Sequence, residues 1–132
     1  MRRFIVLPVL LGALLIYSFQ CRRDDMDHPG NVLKGKLLFN GFCGQYTIQL
    51  LEGYIPPEKI VASWKFPYSD SVYPNVFAVA NACTFGGNHL QQGDVFTFEL
   101  DTPVPPQNCA LCLAYFPTPP ISNAVKDVQK LK

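Results

Sequence analysis

Four cysteines between positions 43 and 112 of the 132-residue chain have the residue type and spacing for chemistry: Cys43, Cys83, Cys109 and Cys112. Paired thiols form disulfides, exchange electrons or hold zinc. Cys109 and Cys112 have redox-pair spacing, but such pairs open a helix, and the flanking residues here favour an extended chain. A four-cysteine zinc site needs two close pairs, and the sequence has one.

An even number of cysteines in a small exported domain instead predicts two disulfides. In an extended segment, residues three apart point to opposite faces, so a direct Cys109–Cys112 bond would need a turn. We therefore expect Cys109 and Cys112 each to reach a distant partner, Cys43 or Cys83. The sequence leaves the pairing open.

A fifth cysteine, Cys21, marks an abrupt change of polarity near the amino terminus. Arg2, Arg3 and the apolar run Phe4–Phe19 precede it, and a polar segment begins at Arg22. The run has 16 residues, fewer than the roughly 20 that a spanning helix needs. A basic start followed by a short apolar core predicts an export signal that is removed before Cys21.

The segment resembles bacterial lipoprotein signal peptides, in which the residue after the cut is a cysteine that carries acyl chains. Residues 21–25, CRRDD, also resemble the tag that directs Bacteroidetes lipoproteins to the outer face of the outer membrane. The resemblance implies a signal peptide over residues 1–20, palmitate-type lipidation of Cys21 and a polar tether over residues 21–30. Each buried methylene contributes about 0.8 kcal/mol, so two or three chains hold a small protein at the membrane.

Other titratable residues do not form a catalytic pattern. His89 near Asp94 could form an acid–base pair, but a loop histidine is more often solvated. Without Arg2 and Arg3, nine basic and ten acidic residues remain scattered along the chain, which disfavours nucleic-acid binding. We expect a non-enzymatic protein without a cofactor or a metal site.

Aromatic residues offer the best candidates for ligand recognition: Trp64, Phe66, Tyr68 and Tyr73. Flat rings anchor protein partners or stack on sugars, although rings of this kind more often cover the core. The triplet Asp70-Ser71-Val72 resembles the O-glycosylation signal of exported Bacteroidetes proteins, which makes Ser71 a candidate for that modification.

Short strands must position these residues. Alternating apolar and polar side chains predict strands at 32–39, 46–51, 76–82, 94–100 and 110–116, with an edge extension at 123–128. One helical turn is expected at 56–60, an aromatic connection at 64–68 and a loop at 85–88. Three prolines exclude residues 102–108 from a central strand.

Five or six such strands predict one all-β domain over residues 31–132, a barrel or a sandwich. Gly35 in the first strand and the turn Leu90–Asp94 before the fourth resemble the oligonucleotide/oligosaccharide-binding (OB) barrel. The resemblance implies a small OB-like barrel, with a small β-sandwich as the alternative. The whole chain also resembles the short cysteine-containing lipoproteins of Bacteroidetes.

Taken with the anchor, these features predict a lipid-anchored envelope protein, exposed at the bacterial outer membrane, that binds a glycan or another envelope protein. Two alternatives stay open: a structural accessory subunit of an envelope complex, and a thiol or metal protein that uses the four domain cysteines.

Overall fold

A computed structural model describes residues 31–132, so the predicted signal peptide, Cys21 and tether lie outside the described residues. The described part contains six strands: β1 Leu33–Asn40, β2 Tyr46–Glu52, β3 Val61–Lys65, β4 Val72–Val79, β5 Val95–Asp101 and β6 Ser122–Lys130. A 3-10 turn covers Pro57–Lys59, and the short helix α1 covers Ala82–Gly86. Among residues 31–132, no helix has the length and apolar character to cross a membrane.

Five strands close into a ring. β1 pairs antiparallel with β2 on one side and with β5 on the other. β6 joins β5 antiparallel and β4 parallel, and β4 returns to β2. β3 lies outside the ring and pairs with the first part of β4. The predicted all-β class is confirmed, and because the pairings close, the architecture is a small barrel.

The apolar side chains of the alternating strands fill the interior of the barrel. In β5, Phe96 and Phe98 are fully buried, whereas Thr97 between them is partly exposed. Gly35 leaves space on the inner face of β1, since a Cβ atom added there would lie 2.8 Å from the ring of Phe98. The absence of a side chain at Gly35 therefore lets this ring cross the barrel interior.

Two predictions near the carboxyl end are wrong. Residues 110–116 form no strand, because they belong to a 20-residue connection from 102 to 121, called the β5–β6 loop below, in which no neighbouring strand pairs with them. Residues 123–128, predicted as an edge extension, lie within β6, which pairs with β5 over residues 124–130 and with β4 at Ser122 and Asn123. The pairing with β4 closes the ring, so β6 is not an edge strand.

Two shorter predictions also need correction. Residues 85–88 were expected to form a loop, but Phe85 and Gly86 end helix α1, whose Phe85 ring is buried in the core. The expected aromatic connection at 64–68 begins inside a strand, since Trp64 lies in β3 opposite Tyr73 of β4. The helical turn predicted at 56–60 is confirmed as the 3-10 turn.

Candidate recognition surface

Six aromatic side chains meet outside the barrel core and form what we call the aromatic cluster. It includes the four predicted residues and two more: Phe39, Trp64, Phe66, Tyr68, Tyr73 and Phe116. None belongs to the buried hydrophobic core inside the barrel. The sequence-predicted recognition residues are thus brought together on one part of the molecule.

Phe39 is the central ring of the cluster. It stacks on Phe66 with centroids 4.5 Å apart and planes 12° from parallel. Trp64 and Tyr73 meet Phe39 edge to face, with centroids 6.1 and 5.4 Å from its own. Phe116, from the β5–β6 loop, approaches the same ring at 6.1 Å. Such offset and edge-on pairs are the favourable arrangements of aromatic rings.

The hairpin of β3 and β4 carries most of the cluster. Trp64 and Tyr73 are direct cross-strand partners, the arrangement in which two rings on one face contact each other. The turn between the strands is closed by a hydrogen bond that the Phe66 amide donates to the Ser71 carbonyl, 3.0 Å. A salt bridge of 3.0 Å joins Lys65 to Asp70 across this turn. Ser71 is exposed at the turn.

Exposure differs sharply within the cluster. Trp64, Phe66 and Tyr73 are half-buried, whereas Tyr68 is 69% exposed and touches the cluster only through Phe66, with centroids 5.6 Å apart. The rings therefore do not form a closed cover over the core. They form an apolar platform with one ring that projects from the hairpin turn.

Sequence reasoning missed Phe39 and Phe116. Strict alternation along β1 would place Phe39 inward with Leu33 and Leu37, but a register shift between Leu37 and Phe39 interrupts the ladder and brings Phe39 into the outer cluster. Phe116 was assigned to a strand that does not exist. A bulge has no reliable signature in one sequence, so neither contact was visible from spacing.

Two disulfides attach the β5–β6 loop to the barrel. Cys112 is bonded to Cys43 in the loop between β1 and β2 (residues 41–45, the β1–β2 loop), and their Cα atoms are 5.1 Å apart. Cys109 is bonded to Cys83 in α1, with Cα atoms 5.6 Å apart. In this arrangement the four sulfur atoms are disulfide sulfurs, not the thiolates that metal binding requires.

The amide side chain of Gln45 provides a third connection between the same loops. Its Oε1 accepts a hydrogen bond from the Cys43 amide at 2.9 Å, and its Nε2 donates to the Ala114 carbonyl at 2.7 Å. Gly44 has a φ of +76°, a conformation that favours glycine, and Leu111 lies directly against it. The two loops therefore form one connected surface at this end of the barrel.

The carboxylate of Asp94 is held by two hydrogen bonds at the turn before β5. It accepts hydrogen bonds from the Lys130 ammonium and from the Gln91 amide, each at 2.8 Å. The bond from Lys130, followed by that from Gln91, lowers the pKa of Asp94 below its ordinary value of 3.8. Asp94 thus connects the turn before β5 to the end of β6, and within residues 31–132 no hydrogen bond or salt bridge joins it to His89.

Within residues 31–132, no three histidine, cysteine or acidic side chains approach closely enough to hold a metal ion. Comparisons of the chain with models of protein families, with curated protein sequences and with solved structures found no match. The aromatic cluster and the loops beside it are the features of the described domain that bear on function.

Proposed function

We propose that this protein is a lipid-anchored, non-enzymatic binding module of the bacterial envelope, and that the aromatic cluster contacts another envelope protein. The observation that carries the proposal is the position of the rings. Trp64, Phe66 and Tyr73 are only half-buried, and the ring of Tyr68 projects from them. Tryptophan and tyrosine in such partly pre-packed groups are the residues that most often dominate protein interfaces.

The surroundings of Tyr68 favour a protein over a glycan as the ligand. Sugar-sized ligands are normally held in concave sites where several polar groups converge. Tyr68 instead lies at the tip of a hairpin turn, and the nearest charged groups, Lys65 and Asp70, already neutralise each other. A projecting ring on a half-buried apolar base resembles an anchor residue that enters a pocket on a partner.

The predicted anchor is compatible with this use of the surface. The described domain enters β1 at Leu33, whereas the cluster residue Phe39 lies near the other end of that strand. At about 3.3 Å per residue, the two positions are roughly 20 Å apart. A ten-residue tether from Cys21 to Gly30 could add up to about 35 Å between the domain and the lipid. The cluster would then be held clear of the membrane surface.

A matched pair of tyrosines allows a direct test in the native envelope. Tyr68 and Tyr54 are 69% and 68% exposed, but Tyr54 follows β2 at the opposite end of the β1–β2 hairpin from the β1–β2 loop. A photoreactive phenylalanine derivative replaces each in turn in the full chain. We expect cross-links to one defined protein from position 68 and not from position 54, and loss of that product when Trp64 is replaced by alanine. Equal products from both positions would contradict the proposal.

Trp64 is the single tryptophan of the chain and lies in the cluster, so its fluorescence reports ligands that bind there. Titration with purified envelope polysaccharide should leave this fluorescence unchanged. A saturable fluorescence change that is abolished by Tyr68→Ala would show that the ligand is a glycan and not a protein.

Intact-mass measurement on protein from its own membranes tests the anchor: we expect a chain that begins at Cys21 and carries acyl groups.

A further inference from the structure

A second apolar surface lies where the two disulfide-linked loops meet. We call it the loop surface, and its members are Phe42, Leu111, Leu113 and Tyr115. Phe42 is 94%, Leu113 101% and Tyr115 80% exposed, and Leu111 is about half exposed. Side chains of this size are usually at least partly covered in a folded protein, and four together form a patch of the kind that marks an interaction site.

The loop surface is held in place rather than loose. The Cys43–Cys112 disulfide ties the residue after Phe42 to the residue before Leu113. Gln45 bonds to the carbonyl of Ala114, the residue before Tyr115, at 2.7 Å. Because these bonds already restrain the backbone that carries these side chains, little further ordering of the loops is needed on binding, which favours affinity.

Both loops are free of charge. The chain has no acidic or basic residue from Leu37 to Leu51, and none from Thr102 to Val125. An uncharged surface has no ionic group to desolvate and does not repel a copy of itself. Its complement must be equally apolar, and a second loop surface satisfies that condition.

The loop surface also contains a recess beside its projecting side chains. An open groove of about 350 Å³ lies between the two disulfides, and its lining includes small residues such as Gly44, Ala82 and Gly86. A two-fold interface needs one patch that offers both a projection and a recess, because each copy inserts into the other. Leu113 provides the projection, and the groove, which Phe42 and Leu111 help to line, provides the recess.

The exposed apolar area fits a weak symmetric contact. The four side chains expose on the order of 500 Å², taking roughly 150–250 Å² for a whole aromatic side chain. Two copies with the surrounding rim would bury about 1,200 Å², the lower limit of specific interfaces. An interface of that size is sufficient for copies that are confined to one membrane.

We infer that the loop surface binds a second copy of this chain, with Leu113 of each copy in the groove of the other. This inference rests on the membrane anchor of the proposed function, which confines the copies to one surface, but it does not involve the recognition residues Tyr68 and Trp64. It also agrees with the predicted anchor: the loop surface lies at the far end of β1 from the tether, and two tethers of about 35 Å could reach one lipid leaflet from the ends of such a pair.

Photo-cross-linking between two tagged copies tests the inference in the native membrane. Full-length chains with two different tags are co-expressed, and the photoreactive derivative replaces Tyr115 in one of them. We expect a product of twice the chain mass that carries both tags. The same derivative at Tyr54, which is 68% exposed, is the matched control and should give no such product.

A charge placed in the interface provides the second measurement. Leu113→Asp in both copies leaves two unpaired carboxylates at the contact, so the doubly tagged product should fall at least about tenfold. Since Leu113 is fully exposed, the fold and both disulfides should survive. Intact mass checks the disulfides, and circular dichroism checks the fold. The inference is overturned if the Tyr115 product lacks the second tag, if Tyr54 gives an equal yield, or if Leu113→Asp has no effect. A cross-link from Tyr115 to a different protein alone also counts against it.

Discussion

Removal of the Cys43–Cys112 disulfide should destabilise the domain somewhat more than removal of the Cys83–Cys109 disulfide. The bond joins residues 69 apart, but the Cys83–Cys109 bond lies inside that span and already shortens it by 26, which leaves an effective loop of about 43 residues. In the chain-entropy model, closing a loop of this length stabilises the folded state by about 4 kcal/mol. For a small domain with a total stability of about 5–15 kcal/mol, this is a large fraction.

The test is urea unfolding of the Cys43→Ala/Cys112→Ala variant, followed by the fluorescence of Trp64. Its free energy of unfolding should be about 4 kcal/mol lower than that of the native chain. The Cys83→Ala/Cys109→Ala variant is the control; its 26-residue loop should contribute about 3.5 kcal/mol. A loss below about 1 kcal/mol for the first pair, or a clearly larger loss for the second, would refute the loop-length reasoning.

Three further substitutions test the polar groups of the barrel. Thr47→Val should raise the free energy of unfolding by about 1 kcal/mol in urea titrations, because the fully buried Thr47 hydroxyl has no hydrogen-bond partner. Asn81→Leu should lower it by about 3 kcal/mol, since the Asn81 side chain bonds both the amide and the carbonyl of Val125 at 2.9 and 2.7 Å. Asp94→Asn should lower the melting temperature at pH 7 but not at pH 2. Because the pKa of Asp94 is lowered in the folded state, its ionised form stabilises the fold at pH values above the unfolded pKa. This contribution disappears as the pH falls through the folded pKa.

Strands that have one solvent-exposed face and one buried face were predictable from the sequence. β2 and β5 were found within one or two residues because Ile48, Phe96 and Phe98 alternate with polar neighbours. The same alternation failed at residues 110–116, where Leu111, Leu113 and Tyr115 also recur at every second position. Periodicity shows that one face is apolar, but it does not show that anything covers that face.

The candidate site was predictable in part for a similar reason. Trp64, Phe66, Tyr68 and Tyr73 lie within ten residues of sequence, so a hairpin was sufficient to bring them together. Phe39 and Phe116 reach the cluster from distant parts of the chain, and their positions depend on a bulge and on a loop without regular structure. Contacts that depend on tertiary packing leave no pattern in a single sequence.

The length of the β5–β6 loop is itself evidence for a role beyond connection. β5 and β6 are antiparallel neighbours, and such strands are commonly joined by two to five residues. Here 20 residues intervene, and both disulfides of the domain end in that segment, at Cys109 and Cys112. Ordering a loop of this length costs roughly 1–2 kcal/mol per residue in backbone entropy, and few of its side chains gain burial in return. The two disulfides offset part of that cost. They also restrain the loop while Leu113 and Tyr115 stay exposed to solvent, which is the arrangement expected if these side chains contact a partner.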